Sequence, residues 1–303
     1  MTTLWYLVLA LLPSFVQRPL RNLAGARIER GARVSWLSLV AVRDLRMARG
    51  ARIGALTMIK GPRTVALGAK ARIDSMVLVN CRPGPRARLT MGAHSRLMSF
   101  SVIEPSEGIT IGEETGLGGQ CLIFCHGSWP NYLEGAPYAR GPVEIGSEVW
   151  IPWRVMILPN TRIPDRSVIG AHSLVRGVLD QPGALYSGVP ARQVVDQIWR
   201  DTDPSERRRR LEEVFEGFCS LESRPPRLVP IDEAVELPGR LEGVVAYALG
   251  RVAEPSVAAT LRTRGANVVD FDARTAWISD RLGDRFVGYL ETYGIRIEPT
   301  PGK

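Results

Sequence analysis

Stacked three-sided coils of β-strand, a mainly β parallel β-helix, are the architecture this sequence predicts. A short apolar helix precedes the coils and a small α/β domain follows them. Three observations carry the prediction. Aliphatic residues fall on every sixth position at Ile145, Ile151, Ile157, Ile163, Ile169 and Val175. Four positions after each of the first five stands a small or β-branched residue: Val149, Val155, Thr161, Ser167 and Ser173. Neither the helical period of 3.6 nor the strand period of two yields a run of sixes.

Six-residue units fit if each is one flat face of a triangular coil. The aliphatic side chain then points inward and the small residue sits where the chain turns. In the same frame the coils begin near Ile28, Met47, Leu67, Met91, Ile111, Ile145 and Ile163, with gaps of 19, 20, 24, 20, 34 and 18 residues. Each excess over eighteen is a loop at a corner, which costs little. About seven coils at the ~4.8 Å strand spacing make a prism roughly 34 Å long. A sandwich of short strands predicts no fixed phase of six.

The ends of the chain divide from the coils at about residues 22 and 198, giving an N-terminal segment 1–22, a coil domain 23–198 and a C-terminal region 199–303. The apolar run Leu4–Val16 is interrupted by Pro13 and is too short to span a bilayer. It reads as a helix capping the first coil, with contact to a membrane interface beside Arg18, Arg21 and Arg27 as the second reading. A cleaved signal lacks the positive n-region. After the coils, "DTDPSERRRRLEEVFEGFCSLE" reads as a helix capped by Asp203, with Leu211, Val214, Phe215 and Phe218 as its apolar stripe. "SRPPRLVP" reads as a linker, "GVVAYAL" and "NVVDFD" as strands, "AWISDRLGDRFVGYLETYG" as a helix ended by Gly294, and "IRIEP" as a last strand.

The chain has 303 residues, a formal charge of +8 and three lysines, so its positive charge is nearly all arginine. Guanidinium clusters suit phosphates, carboxylates or anionic membranes. Aromatic residues make up 7% of the chain and no nucleic-acid recognition motif occurs, so nucleic acid is not the expected partner. The four cysteines form neither a CxxC nor a disulfide framework, and read as buried thiols in a reducing compartment.

The segment "IGSEVWIPWRVMILPNTRIPDRSVIGAHSLVRGVLDQPGALYSGVPARQV" resembles the last coils of hexapeptide-repeat acyltransferases, and above all the galactoside, maltose and polysaccharide O-acetyltransferases. The resemblance covers about residues 23–198 and is most specific from His126 to Arg192. It implies left-handed coils, a homotrimer and acetyl-CoA as acyl donor without a metal. It also implies a catalytic histidine at the base of a long loop. The excess of 16 residues after Ile123 is that loop, and it carries His126, 24 residues before Trp150. Imidazole titrates near neutral pH and suits the removal of a hydroxyl proton.

By the same resemblance Trp150 lines the cofactor groove and the backbone N–H of Trp153 stabilises the oxyanion. Ala171 admits the pantetheine arm, and Arg192, with Arg176, meets the cofactor phosphates. Trp129, Asn131 and Tyr132 stand in the loop, either to hold a sugar or to pack the loop. The family's Gly followed by Ser or Ala after "WI" is here Pro152 and Trp153, and its Thr–Lys pair is Arg176 and Gly177. Gamma-class carbonic anhydrases share the fold and bind zinc through three histidines, but His94, His126 and His172 lack their close pair.

The sequence thus predicts an acetyl-CoA-dependent O-acetyltransferase acting on a sugar or glycoconjugate hydroxyl in surface-polysaccharide biosynthesis. It is expected in the cytoplasm, with contact at the inner face of the membrane as the second reading. N-acylation of an amino sugar is the runner-up, and an inactive β-helix scaffold the third reading.

Overall fold

The computed structural model describes residues 3–127 and 131–300. The chain forms two compact units, Met1–Arg200 and Asp201–Lys303.

In the first unit three sheets of seven, nine and seven strands form three faces. Along the coils the strands run parallel and in register, face by face: Ile111 beside Ile145, Leu117 beside Ile151, Ile123 beside Ile157. The unit is a parallel β-helix of three-sided coils, as the spacing of six and the resemblance implied. Each face gives an inward aliphatic residue on every coil, and face one adds a second beside its corner with face three: Leu45, Val65, Leu89, Ile109 and Val143. Face one runs from Ile28 to Ile163, face two from Val34 to Ile169 and face three from Val40 to Val175, all buried.

The corners explain the rest of the hexad. At the corners between faces one and two and between faces two and three, the third residue after the inward one takes positive φ, as at Leu56, Met76, Phe100, Gln120 and Arg154. This left-handed step turns the chain sharply and costs an L-residue energy, which closure of the coil must offset. The next residue points inward into the tightest part of the section, so it is small. Its hydroxyl, where present, satisfies a corner carbonyl: Ser95 donates to Gly92 O (2.6 Å), Thr161 to Leu158 O (2.7 Å), Ser167 to Pro164 O (2.8 Å). His94 and His172 are corner residues of this left-handed kind. His172 is exposed as expected, but His94 is half-buried.

Every excess residue between the inward positions leaves at one corner. From face one to face two and from face two to face three the step is always six, as in Ile28–Val34–Val40 and Ile111–Leu117–Ile123. From face three to the next face one it varies: Val40 to Met47, Ile59 to Leu67, Val79 to Met91, Ile103 to Ile111 and Ile123 to Ile145, then six again from Ile157 to Ile163.

The N-terminal segment is two helices, α1 (Thr3–Ala10) and α2 (Ser14–Leu23), parted at Pro13. They close the open end of the first coil. Leu9 is fully buried, and Leu37 N–H donates to Ala10 O (2.8 Å). Arg21 donates to Val40 O (2.9 Å), and burial lowers its pKa to about 10. Among the described residues no helix is long and apolar enough to cross a membrane. At the far end an antiparallel hairpin, Leu185–Gly188 with Ala191–Val195, terminates face two.

The second unit is a five-stranded sheet with α3 (Pro204–Cys219) and α6 (Arg281–Leu290) sharing one core cluster. Two helices the sequence reading did not anticipate, α4 (Ile231–Glu236) and α5 (Pro255–Thr263), share a second cluster. Two further expectations are corrected. Arg227–Pro230, read as linker, is a strand, because proline is tolerated at the edge of a sheet. The last long helix begins at Arg281, not at Ala276. Asp280 caps it through Leu282 and Gly283 N–H, while Thr275–Trp277 is a strand antiparallel to Asn267–Asp270.

Ile157 is fully buried within the stacked coils, so truncation there is costly. Ile157→Ala should lower unfolding free energy by about 2–5 kcal/mol in denaturant titration.

Candidate active site

The largest insertion opens as a short strand, His126–Gly127, that pairs antiparallel with Ala139–Arg140 and sets His126 opposite Arg140. The pairing brings the base of the loop over the preceding coil. There Glu104 ends the face-three strand Val102–Glu104, in register with Phe124. His126 Nδ1 lies 2.7 Å from Glu104 Oε2. Glu104 is 8% exposed, and its Oε2 also accepts from Ser106 Oγ (3.1 Å) and Cys125 N–H (3.2 Å). Its Oε1 is buried without a hydrogen-bond partner among the described residues. A carboxylate so placed is expensive unless something in the site requires it. The donors fix its orientation, and it fixes the imidazole. With Nδ1–H given to the carboxylate, Nε2 is left as a proton acceptor.

A second buried carboxylate, Glu107, binds Arg140 Nε and lies 2.8 Å from Arg86 Nε. Arg140 and Tyr138 come from the returning limb of the insertion. With Asn80, Cys81, Arg82, Glu104, Ser106 and His126 they line a cleft of about 430 Å³. The cleft opens at the corner from which all insertions leave. The corners of the two preceding coils supply its floor and wall, so an acceptor there meets donors, acceptors and the imidazole together.

The other sequence-predicted residues fall into groups. Trp129 lies outside the described residues. Asn131 spends its side chain on the loop, accepting Leu133 N–H (3.1 Å) and donating to Glu134 Oε1 (2.8 Å). Tyr132 is exposed and stacks at a tilt on Tyr138, with ring centroids 5.7 Å apart. Trp150, Trp153, Ala171 and Arg192 share face two and its corner with face three. Trp150 and Trp153 are 40% and 48% exposed. Their rings lie over glycines: a Cβ on Gly116 would come within 2.9 Å of the Trp150 ring, and one on Gly119 within 2.7 Å of the Trp153 ring.

Among the described residues no acceptor takes the Trp153 N–H, and the neighbouring corner explains why. There Glu113 N–H donates to Ser147 Oγ (3.1 Å) and Ser147 N–H to Asp165 Oδ1 (2.7 Å), so the next coil covers each amide. The residue stacked on Trp153 is Ala171, which offers no acceptor. Arg176 does not join Arg192. It follows Val175 on face three and stands in the column of Phe124 and Leu158, on the His126 corner. A single chain therefore sets His126 at one corner and the Trp153 amide at another.

Sequence reasoning missed Glu104, Ser106, Glu107, Tyr138 and Arg140. "EPSEG" was the available signal, two carboxylates at the corner one coil before the histidine. Among the described residues there is no group of three or more His, Cys, Asp or Glu placed to hold a metal.

No protein-family model matches the chain. The Escherichia coli K12 protein WbbJ, assigned to lipopolysaccharide biosynthesis as an O-acetyltransferase, is 33% identical over 97 residues, 28% of this chain and 49% of that protein. The galactoside O-acetyltransferase of the same organism is 42% identical over 60 residues, 20% of this chain and 29% of that enzyme. The chain thus spans about half or less of the length of these curated relatives. Among solved structures, AntD, an N-acyltransferase from Bacillus cereus in complex with dTDP and 3-hydroxybutyryl-CoA, aligns with a TM-score of 0.44 at 20% identity, over 68% of this chain and 97% of that one. The chain resembles hexapeptide-repeat O-acetyltransferases.

The cleft thiol is no nucleophile. Burial pushes Cys81 up to about 12, with the nearby Glu104 charge adding to it, and pushes Cys125 to about 12 and Cys121 to about 11. These three should resist iodoacetamide at neutral pH and react once the chain is denatured, as peptide mass mapping would record. Their folded pKa values lie above the free-thiol value of about 8.5. The stability they contribute is therefore complete below that pH and is lost as pH climbs through about 11–12.

Proposed function

We propose that the protein is an O-acetyltransferase that moves an acetyl group from acetyl-CoA to a sugar hydroxyl, with His126 as general base. The observation that carries this is the Glu104–His126 pair at the floor of the insertion cleft. Acetyl-CoA supplies the activated acyl group. Glu104 holds the imidazole so that Nε2 faces the cleft. Nε2 takes the hydroxyl proton as the oxygen attacks the acyl carbon, and returns it to the departing thiolate sulfur. Between the two transfers the Glu104 carboxylate steadies the imidazolium. The open Trp153 N–H is the donor for the developing oxyanion, a contribution of typically about 3 kcal/mol. The glycine-seated indoles and the small Ala171 leave room for a pantetheine arm, and Arg192 stands at the same face for a phosphate.

His126 and Trp153 occupy different corners, and face three lies between them. Its outward column is aliphatic on every coil: Leu39, Met58, Leu78, Val102, Leu122, Met156 and Leu174. Beside it the corner residues Leu37, Leu56, Met76 and Phe100 are exposed. So continuous an apolar strip fits burial against a second copy. A homotrimer would set the His126 corner of one copy against the Trp153 corner of the next. The N-terminal helices support peripheral contact with the inner membrane face: Leu4, Leu7, Leu11 and Phe15 are exposed, and Arg18 stands in α2.

His126→Ala should cut acetyl transfer about 10²–10⁴-fold while leaving acetyl-CoA affinity and sedimentation unchanged. Near-normal turnover in that variant would overturn the mechanism. Glu104→Gln keeps the shape but removes the anionic partner, so turnover should fall with acetyl-CoA affinity intact. An acetylated product stable to mild alkali would mark an amine acceptor in place of the hydroxyl.

A further inference from the structure

The outer surface of face two carries an unbroken column of arginines. Arg33 pairs in register with Arg52, Arg52 with Arg72, and Arg72 with Arg96. Four guanidinium side chains therefore rise from four successive coils, about 4.8 Å apart at the backbone. Like charges directly opposite one another destabilise a sheet. The core does not ask for them, because packing is done by the inward neighbours Val34, Ile53, Ile73 and Leu97.

Arg96 is paired with Asp74, yet the region as a whole carries a large excess of positive charge. Residues 23–100 hold fifteen Arg and Lys against three acidic residues, Glu29, Asp44 and Asp74, a balance of 15 − 3 = +12 in a chain whose total is +8. Asp44 is held by Arg46 (2.6 Å), Asp74 by Arg96 (3.0 Å), and Glu29 accepts Arg49 N–H (2.9 Å). Each carboxylate of this region is already engaged, and none of the three is engaged with Arg33 or Arg52.

We propose that the column is a track for an extended anionic polysaccharide, a glycan bearing carboxylates along its length, and that this is the acceptor class of the site described above. A linear polyanion lying along the coil axis meets one guanidinium per coil, and planar guanidinium matches carboxylate in pairs of hydrogen bonds. The next two rungs of the column are Gly116 and Trp150, so the track runs into the indole beside the proposed acyl-donor groove. A single-stranded nucleic acid would need aromatic faces on which to stack its bases. The five rungs before Trp150 are four arginines and a glycine. The apolar residues suited to a membrane, Leu4, Leu7 and Leu11, lie on α1 and the turn that follows it, and the column runs away from the end that α1 closes.

The proposal rests on the acetyltransferase reading for its acceptor but is tested by binding alone. The probe is fluorescently labelled octagalacturonate, titrated into the full chain and into the double variant Arg33→Gln/Arg52→Gln, with neutral malto-octaose as control. The parent should bind the anionic oligomer with an affinity that falls as salt rises, and should ignore the neutral one. The double variant should lose about tenfold or more in affinity, the scale of two lost charge-assisted contacts. Its acetyl-CoA affinity should stay unchanged. Its melting temperature should be equal or higher, because two opposed like charges have gone. Equal binding by parent and variant would overturn the track. So would octagalacturonate failing to bind while single-stranded DNA, or vesicles rich in phosphatidylglycerol, bind in a way the variant weakens. If acetyl-CoA binds neither protein, the acetyltransferase reading fails, whatever octagalacturonate does.

Discussion

A three-sided coil closes over a narrow interior, and the rest of the first unit depends on that limit. It sets the length of a face at six residues and forces a left-handed step at the two corners that never vary in length. It also demands a small residue just beyond each step. Because no coil can widen without losing contact with its neighbours, the coils stack in strict register. Register in turn converts sequence spacing into straight columns on the outer surface. The aliphatic strip on face three, the arginines on face two and the glycine-seated tryptophans are all columns of this kind. None of them needs a specific tertiary contact to be aligned.

The candidate site adds to this frame what columns alone cannot provide, a buried charge. Glu104 sits at the last position of a strand, where the chain is about to leave the coil. Its oxygen collects a serine hydroxyl, a backbone amide from the following coil and the imidazole. An unpaired carboxylate at this depth would unfold locally or take up a proton. Three donors make it tolerable, and one of the three is the group that faces the cleft. The coil beneath therefore holds the histidine on a loop whose own secondary structure is one pair of two-residue strands and a single 3-10 turn.

The period of six, the inward residues and the site of the long insertion were all legible in the sequence, because each is repeated and the repeats check one another. What failed to show was anything that depends on the sum of loop lengths. Glu104 and His126 stand 22 residues apart, and only the register across one coil reveals that their side chains meet. The resemblance sets Arg176 and Arg192 together at the cofactor phosphates, yet Arg176 belongs to face three and Arg192 to face two. In the second unit, the prolines of "SRPPRLVP" hid a strand, and the aspartate that caps α6 was passed over in favour of the apolar residues before it. Both errors come from local signals outranked by the sheet.

That all extra residues emerge at a single corner makes this prism a natural display scaffold. Two edges are closed to change in length, since a single added residue there would shift every face beyond it. The third edge has already accepted additions ranging from one residue to a whole folded-back loop, with the inward aliphatic stack unbroken. Peptides grafted at 60–63 or 80–88 would project from the same edge at heights fixed by coil number. Selection, natural or in the laboratory, can vary the walls of the cleft one storey at a time while the masonry behind them stays untouched.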